Sequence, residues 1–237
     1  LSKNGSQPMT SQDNRWVIVY NGEIYNHIQL RKNLKECGFD VAWKGHSDTE
    51  TLLACIQFWG IEKSLDKLTG MFAFSVFEKK YKKLYLARDR FGEKPLYYGF
   101  INKCFVFGSE VKSFKKFPGF EKKINIEALH SYFSLNVVPG DNCIYRNVHK
   151  LAPGTFLEVN KDSLDSQELR RPEKYWSITT IFGSKNDNFF ISQEDFNDQI
   201  LGMLNKSVAQ QLISDVPTGV FLSGGIDSSL ITALMQK

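Results

Sequence analysis

Hydrophobic positions in the first 160 residues fall into two patterns, short continuous runs and stripes at helical spacing, and their order sets the expected fold. Residues 16–20, Trp-Val-Ile-Val-Tyr, form an apolar run closed by Asn21-Gly22, the pattern of a strand and its turn. Residues 24–37 then read as a helix, with Tyr25, Ile28 and Leu34 on one face and Gly38 at its end. A second helix is predicted from Ser47, where Ser47-Asp48-Thr49-Glu50 has the form of a capping box ahead of Leu52, Ile56 and Trp59. Residues 71–77 are almost wholly apolar, which predicts a strand buried on both faces. After a polar turn, residues 84–88 return as its hairpin partner. Residues 95–100 and 104–108 form a second hairpin around Asn102-Lys103. A helix over 126–133 and a strand over Thr155–Val159 complete the region.

Residues 160–194 change character: Ser, Asp, Asn and charged residues dominate, broken by Tyr175-Trp176. Beyond them a helix is predicted over 195–213, with Phe196, Ile200, Leu204, Val208 and Leu212 in one stripe. Val220-Phe221-Leu222 then reads as a buried strand, Ser223-Gly224-Gly225 as a turn, and Asp227 as the opening of another helix. The expected organisation is an α/β (α+β) chain with a first domain over 1–160, a linker over 161–194 and the start of a second domain over 195–237.

Composition narrows this picture only modestly. The chain has 237 residues, 42% hydrophobic and 24% charged, which is ordinary globular composition. Thirty Lys+Arg against 26 Asp+Glu leave a formal charge of +4, too balanced to argue for nucleic acid. The basic, aromatic stretch 112–123 therefore reads as buried Phe with solvated Lys. No apolar run approaches the roughly 20 residues of a membrane span, so no membrane partner is expected. Cys37, Cys55, Cys104 and Cys143 lack metal-site spacing and read as buried thiols of a reducing, cytoplasmic compartment. The chain starts at Leu1 and stops at Lys237 within an amphipathic pattern, so it is expected to be a piece cut at both ends.

The first candidate site is Ser223-Gly224-Gly225-Ile226-Asp227-Ser228-Ser229, between the expected strand and helix. Adjacent glycines bring bare N–H groups up to an anion, and the helix points its positive end at the same place. Ser223, Ser228 and Ser229 add hydroxyl donors, and Asp227 fits an anion site only with a cation such as Mg²⁺. This string resembles the pyrophosphate loop of the ATP pyrophosphatases, and 215–222 before it resembles the glutamine-dependent asparagine synthetases. The resemblance implies that Leu222, Ser223, Gly224, Gly225, Asp227, Ser228 and Ser229 meet ATP and pyrophosphate, with Mg²⁺ held at Asp227 through the pyrophosphate. It also implies a doubly wound α/β nucleotide fold for the second domain.

The second candidate site is Asn21-Gly22-Glu23-Ile24-Tyr25-Asn26. A side-chain amide beside a glycine N–H supplies two donors for an acyl oxyanion. The string resembles the class II glutamine amidotransferase domain, as do Ser47-Asp48-Thr49-Glu50, the stretches 68–74 and 87–98, and Ser109-Glu110-Val111-Lys112. The resemblance implies an N-terminal-nucleophile α/β/β/α sandwich, an oxyanion hole from Asn21 and Gly22, and glutamine held by Asn21, Gly22, Glu23 and Asp48. Arg88, Asp89 and Arg90 are expected to form structural ion pairs around the pocket. The family's nucleophile, a cysteine at the mature N-terminus, does not appear in these residues, so the chain as given is expected to be inactive.

Together the resemblances imply a carbon–nitrogen ligase in which glutamine hydrolysis supplies ammonia to β-aspartyl-AMP made from aspartate and ATP, the whole reaction yielding asparagine, AMP and pyrophosphate. Expected partners are glutamine, aspartate and ATP with Mg²⁺, and no permanent cofactor. A homodimer is compatible with this reading. Two alternatives stay open, a related enzyme amidating a sugar or lipopolysaccharide precursor and a β-lactam synthetase-like enzyme.

Overall fold

The computed structural model describes residues 5–183, 192–213 and 217–236. The chain divides into two units, Leu1–Ile181 and Phe182–Lys237.

In the first unit, β1 (Met9–Thr10) pairs with β2 (Trp16–Ile24), whose apolar run continues through Asn21-Gly22-Glu23 as extended chain. Because Glu23 and Ile24 stay in the strand, α1 begins at His27 and spans His27–Glu36. That later start rotates the buried stripe onto His27, Leu30 and Leu34, and leaves Ile28 54% exposed, contrary to the face expected from the sequence. Helix α2 (Asp48–Trp59) is capped by Ser47, whose hydroxyl accepts from the Thr49 N–H. The capping box is incomplete, because the Glu50 carboxylate accepts from the Lys44 and Gly45 N–H groups. After α3 (Ile61–Lys67), β3 (Gly70–Glu78) is buried on both faces over residues 72–76, as its apolar run predicts.

Next come β4 (Lys83–Arg88) and the hairpin of β5 (Tyr97–Ile101) and β6 (Cys104–Gly108). Asn102 and Lys103 at its tip both have positive φ, the demand of a two-residue type I′ turn. Then follow α4 (Val111–Phe114), α5 (Ile126–Leu135), β7 (Val148–Lys150), β8 (Thr155–Val159), α6 (Lys161–Ser166), β9 (Glu173–Lys174) and α7 (Ile178–Gly183). Residues 161–176, which read as linker, include β9, an antiparallel neighbour of β8, and Tyr175, whose hydroxyl donates to the Arg88 carbonyl.

The strands form a six-stranded antiparallel sheet, β1-β2-β3-β4-β8-β9, and a three-stranded sheet, β6-β5-β7. Three apolar clusters define the layers. Ile18, Ile24, Phe72, Phe74 and Val76 on one face of the large sheet pack with Leu30, Leu34, Leu52 and Ile56 of α1 and α2. Ala73, Leu86 and Leu157 on its other face pack with Leu96 and Tyr98 at the small sheet. Ile101 and Val148 behind the small sheet pack with Phe114 of α4, and with Phe117 and Phe120 of the basic stretch. The order helices, sheet, sheet, helix is the α/β/β/α sandwich.

The second unit contains α8 (Gln193–Gln211), capped by Ser192, and α9 (Ile226–Met235). Of the α8 stripe only Val208 is buried. The strand expected at 220–222 is not formed. Those residues are irregular, Phe221 is 98% exposed, and the described residues of the second unit contain no strand that could take up their backbone groups. Asp215 and Val216 of the motif before the loop lie outside the described residues.

Candidate functional site

Strand register fixes the first site. In the β2–β3 ladder Asn21 lies opposite Ala73 and Gly22 opposite Phe72. The backbone of Phe72 turns toward the chain after β4: its N–H donates to Asp89 Oδ2 at 3.2 Å and its carbonyl accepts from the Asp89 N–H at 2.8 Å. Alternation along an antiparallel strand then turns the backbone groups of Asn21 and Glu23 toward β3, and those of Tyr20, Gly22 and Ile24 toward the opposite edge. On that edge β1 pairs only with Val17 and Ile18. Beyond it the Tyr20 N–H donates to Gln7 Oε1 at 2.6 Å, and the Ile24 N–H donates to Asp48 Oδ2 at 2.9 Å. The Gly22 N–H lies between these two on the same edge.

A glycine is required there by close approach. A Cβ on residue 22 would stand 2.2 Å from the Met71 carbonyl oxygen, well inside contact distance. The neighbouring Asn21 side chain is exposed, and its Nδ2 donates to Ser109 Oγ at 3.0 Å, bridging the large sheet to the residue that follows β6.

Asp48 reaches the same edge from the N-terminus of α2. Its Oδ1 accepts from the Thr49 N–H at 2.7 Å, and its Oδ2 takes the Tyr20 hydroxyl at 2.6 Å as well as the Ile24 N–H. Burial, then the Asp48 carboxylate, pushes the Tyr20 phenol above the usual tyrosine range, so it stays a donor. His27 is buried beside this group, and burial holds its imidazole below the usual histidine value.

The floor of the site is clamped by Asp89, which is 1% exposed. Its two oxygens accept from the N–H groups of Phe72, Phe91, Glu93 and Lys94. Arg88 donates to the carbonyls of Gly92, Lys94 and Leu151, and Arg90 to that of Asp66. These residues thus grip backbone, whereas the sequence suggested ion pairs; among the described residues no salt bridge includes any of them.

The structure therefore brings Asn21, Gly22, Glu23 and Asp48 to one end of β2. Sequence reasoning missed Tyr20 and Gln7, and gave no role to Ser109 although its string resembles the amidotransferase domain; all three support them. Only the fold reveals these contacts, because each bond links separate elements, 13 to 88 positions apart. The cysteines also differ from expectation: Cys55 and Cys143 are buried, but Cys37 and Cys104 are exposed. Burial pushes the Cys55 thiol up to about 12, so it is no ready thiolate.

The second candidate site is local. Gly224 has φ of +83°, and Gly225 caps α9 without a side-chain bond. Ser223 and Ser228 hydroxyls lie 2.9 Å apart, and Ser228 Oγ donates to the Gly225 carbonyl at 3.1 Å. Asp227 stands in the first turn of α9, Ser229 donates its N–H to the Gly225 carbonyl, and Leu222 is 62% exposed. Among the described residues no His, Cys, Asp or Glu cluster could hold a metal by itself. No helix among them is long and apolar enough to cross a membrane.

Residues 1–176 match the glutamine amidotransferase domain, and residues 199–237 match the asparagine synthase domain. The chain is 37% identical over 235 residues to asparagine synthetase [glutamine-hydrolyzing] 1 of Bacillus subtilis (strain 168), covering 99% of this chain and 35% of that protein. It is 33% identical over 223 residues to the putative asparagine synthetase [glutamine-hydrolyzing] 2 of Methanocaldococcus jannaschii, covering 93% of this chain and 40% of that protein. The chain thus spans less than half the length of these relatives. A solved structure of glutamine phosphoribosylpyrophosphate amidotransferase from B. subtilis, complexed with ADP and GMP, superposes with a TM-score of 0.52 at 20% identity. It covers 99% of this chain and 48% of that one, a likeness of fold.

Proposed function

The chain belongs to the glutamine amidotransferase domain family, and from that premise we propose that it is the glutaminase part, with the opening of the synthetase part, of a glutamine-hydrolysing asparagine synthetase. The observation that carries the reading is the Gly22 N–H. It lies on the β2 edge between two N–H groups that already have acceptors, with the Asn21 carboxamide beside it and the Asp48 carboxylate two residues further along, on the Ile24 N–H. Together these two donors would stabilise the oxyanion that forms when a glutamine side-chain amide is attacked. Asp48 and Glu23 present negative charge to the α-amino end of the substrate. Gln7 and Asp48 hold the strand edge, and Asp89 holds the β3 backbone behind it, so the donors need no rearrangement as charge develops.

In the second unit, the serine hydroxyls and the N-terminal N–H groups of α9 suit a polyphosphate. The Asp227 carboxylate is the hard oxygen donor that Mg²⁺ favours, so the residues fit ATP with that ion. Mg²⁺, when bound, neutralises charge on the phosphates. Leu222 would meet the nucleotide. ATP would adenylate the aspartate side chain with release of pyrophosphate, and ammonia released in the first part would then displace AMP from the adenylated aspartate, in the cytoplasm, giving asparagine.

In the full-length protein that carries these residues, Asn21→Ala is expected to lower kcat for glutamine hydrolysis roughly 10²–10³-fold. Asp48→Ala is expected mainly to raise KM, because it acts on the substrate end remote from the reacting carbon. Steady-state ammonia release from glutamine checks both. An unchanged kcat in Asn21→Ala would overturn the oxyanion assignment.

A further inference from the structure

We infer that Ser109 is a positioning residue, whose hydroxyl holds the plane of the Asn21 carboxamide and so aims its remaining Nδ2 hydrogen. The inference rests on the proposed role of Asn21 and names a residue that this role requires. A primary amide nitrogen carries two hydrogens. At Asn21 one of them is spent on Ser109 Oγ at 3.0 Å, which leaves the other for a ligand. Asn21 is exposed and its carboxamide is a broad, nearly two-fold rotor about χ2. Without a fixed partner its N–H would sweep a wide arc, and a swung donor loses most of its value to a developing charge.

Ser109 is itself well anchored. It follows Gly108, which lies opposite Tyr97 in the small sheet. A Cβ at Gly108 would stand 2.9 Å from Ser113 Oγ, so the chain there runs tight against α4. Ser113 bonds the Glu110 carbonyl through both its N–H and its hydroxyl, and Phe114 is fully buried behind the small sheet. The hydroxyl is thus carried on a rigid turn of one sheet and reaches across 88 positions of sequence to the other.

The test compares Ser109→Ala, Ser109→Thr and Asn21→Ala in the full-length protein, with glutamine as substrate. Loss of one neutral hydrogen bond predicts a roughly three- to tenfold fall in kcat for Ser109→Ala, with KM within about twofold of wild type. Ser109→Thr, which keeps the hydroxyl, is expected to restore kcat. On the chain described here, the Asn21 side-chain ¹⁵N–¹H₂ pair should move its Ser109-bonded proton upfield, toward the position of a water-solvated amide, in Ser109→Ala and keep it in place in Ser109→Thr. That spectrum also reports whether each variant folds. Unchanged kcat in Ser109→Ala, alongside a large loss in Asn21→Ala, would overturn the positioning role and leave the oxyanion reading standing. Equal losses in the Ala and Thr variants would overturn it too, since the hydroxyl would then be irrelevant. Unchanged kcat in Asn21→Ala would remove the premise and the inference together.

Discussion

The two candidate sites are held together on different length scales. Around Asn21-Gly22-Glu23 the bonds join residues 13, 17, 24 and 88 positions apart, from Gln7 to Tyr20, Phe72 to Asp89, Ile24 to Asp48 and Asn21 to Ser109. Around Ser223-Gly224-Gly225 every hydrogen bond named above spans five positions or fewer. The first site is a property of a folded sandwich and cannot outlast it. The second is a property of a short stretch of sequence, and its turn survives although the strand before it is not formed. A motif can therefore be fully legible in sequence while its surroundings are unmade, and a group of residues can be drawn together by bonds whose partners lie far off in sequence.

The largest expected effect separates the two sites by chemistry. In the full-length protein, Asp227→Ala is expected to abolish ATP-dependent pyrophosphate release and to leave glutamine hydrolysis near its wild-type rate. Asn21→Ala is expected to do the reverse when ammonium salts replace glutamine as nitrogen donor. The reason is that the donors around Asn21 are fixed by bonds within the first unit and need no anion or metal at the Asp227 loop. Pyrophosphate and ammonia assays on both variants check this crossed pattern. If Asp227→Ala kept releasing pyrophosphate with aspartate present, the loop would be a structural turn.

The next effect is on stability. Asp89 is buried and serves four backbone N–H groups, so Asp89→Ala strands several donors at once and is expected to cost at least ~3 kcal/mol. Asp227, exposed at a helix start, is expected to change stability by no more than about 0.5 kcal/mol when replaced by Ala. Urea unfolding measures the first cleanly, because Trp16, Trp43, Trp59 and Trp176 all lie in Leu1–Ile181. Helical circular dichroism measures the second. A small loss in Asp89→Ala would mean that water reaches those amides.

What was legible follows from the same contrast. Apolar runs and stripes located β3, β8, α2 and both hairpins, since burial of a strand or helix face is written locally. The face of α1 was misread because β2 continues through Glu23 and Ile24, a consequence of pairing with β3 that no local pattern encodes. Arg88 and Asp89 looked like ion-pair partners because charges adjacent in sequence suggest each other. Their real partners are backbone groups of a loop whose path only the fold defines. The strand at 220–222 was overcalled for the opposite reason: three apolar residues supply the propensity, but a ladder needs a neighbour. At the candidate site, Asn21, Gly22, Glu23 and Asp48 stood out because their strings resemble the amidotransferase family. Ser109 stood in another such string with no role attached to it, and Tyr20 and Gln7 carried no signal until the fold brought them into reach.

The smallest expected effect uses the distribution of tyrosines. All nine lie in Leu1–Ile181, and none in the second unit. Burial raises the phenols of Tyr20 and Tyr175 well above their ordinary value, in Tyr20 with further help from Asp48. A group whose folded value is raised gives stability that is complete below its unfolded value, near pH 10, and is lost as pH climbs toward the folded value. The unfolded chain ionises first and is favoured by doing so. Each such phenol is therefore expected to remove about 1 kcal/mol from the first unit between pH 10 and pH 11. Tyr20→Phe should flatten that decline by one proton's worth and lower stability at neutral pH through the lost bond to Asp48. The second unit should show no phenolate-linked change over the same range. Phenolate absorbance and tryptophan fluorescence, followed together from pH 8 to 12, would check this. Ionisation of every phenol near pH 10 while tryptophan fluorescence stays native would show that the Tyr20–Asp48 bond does not hold its proton, and the Asp48 edge of the site would then be open to solvent.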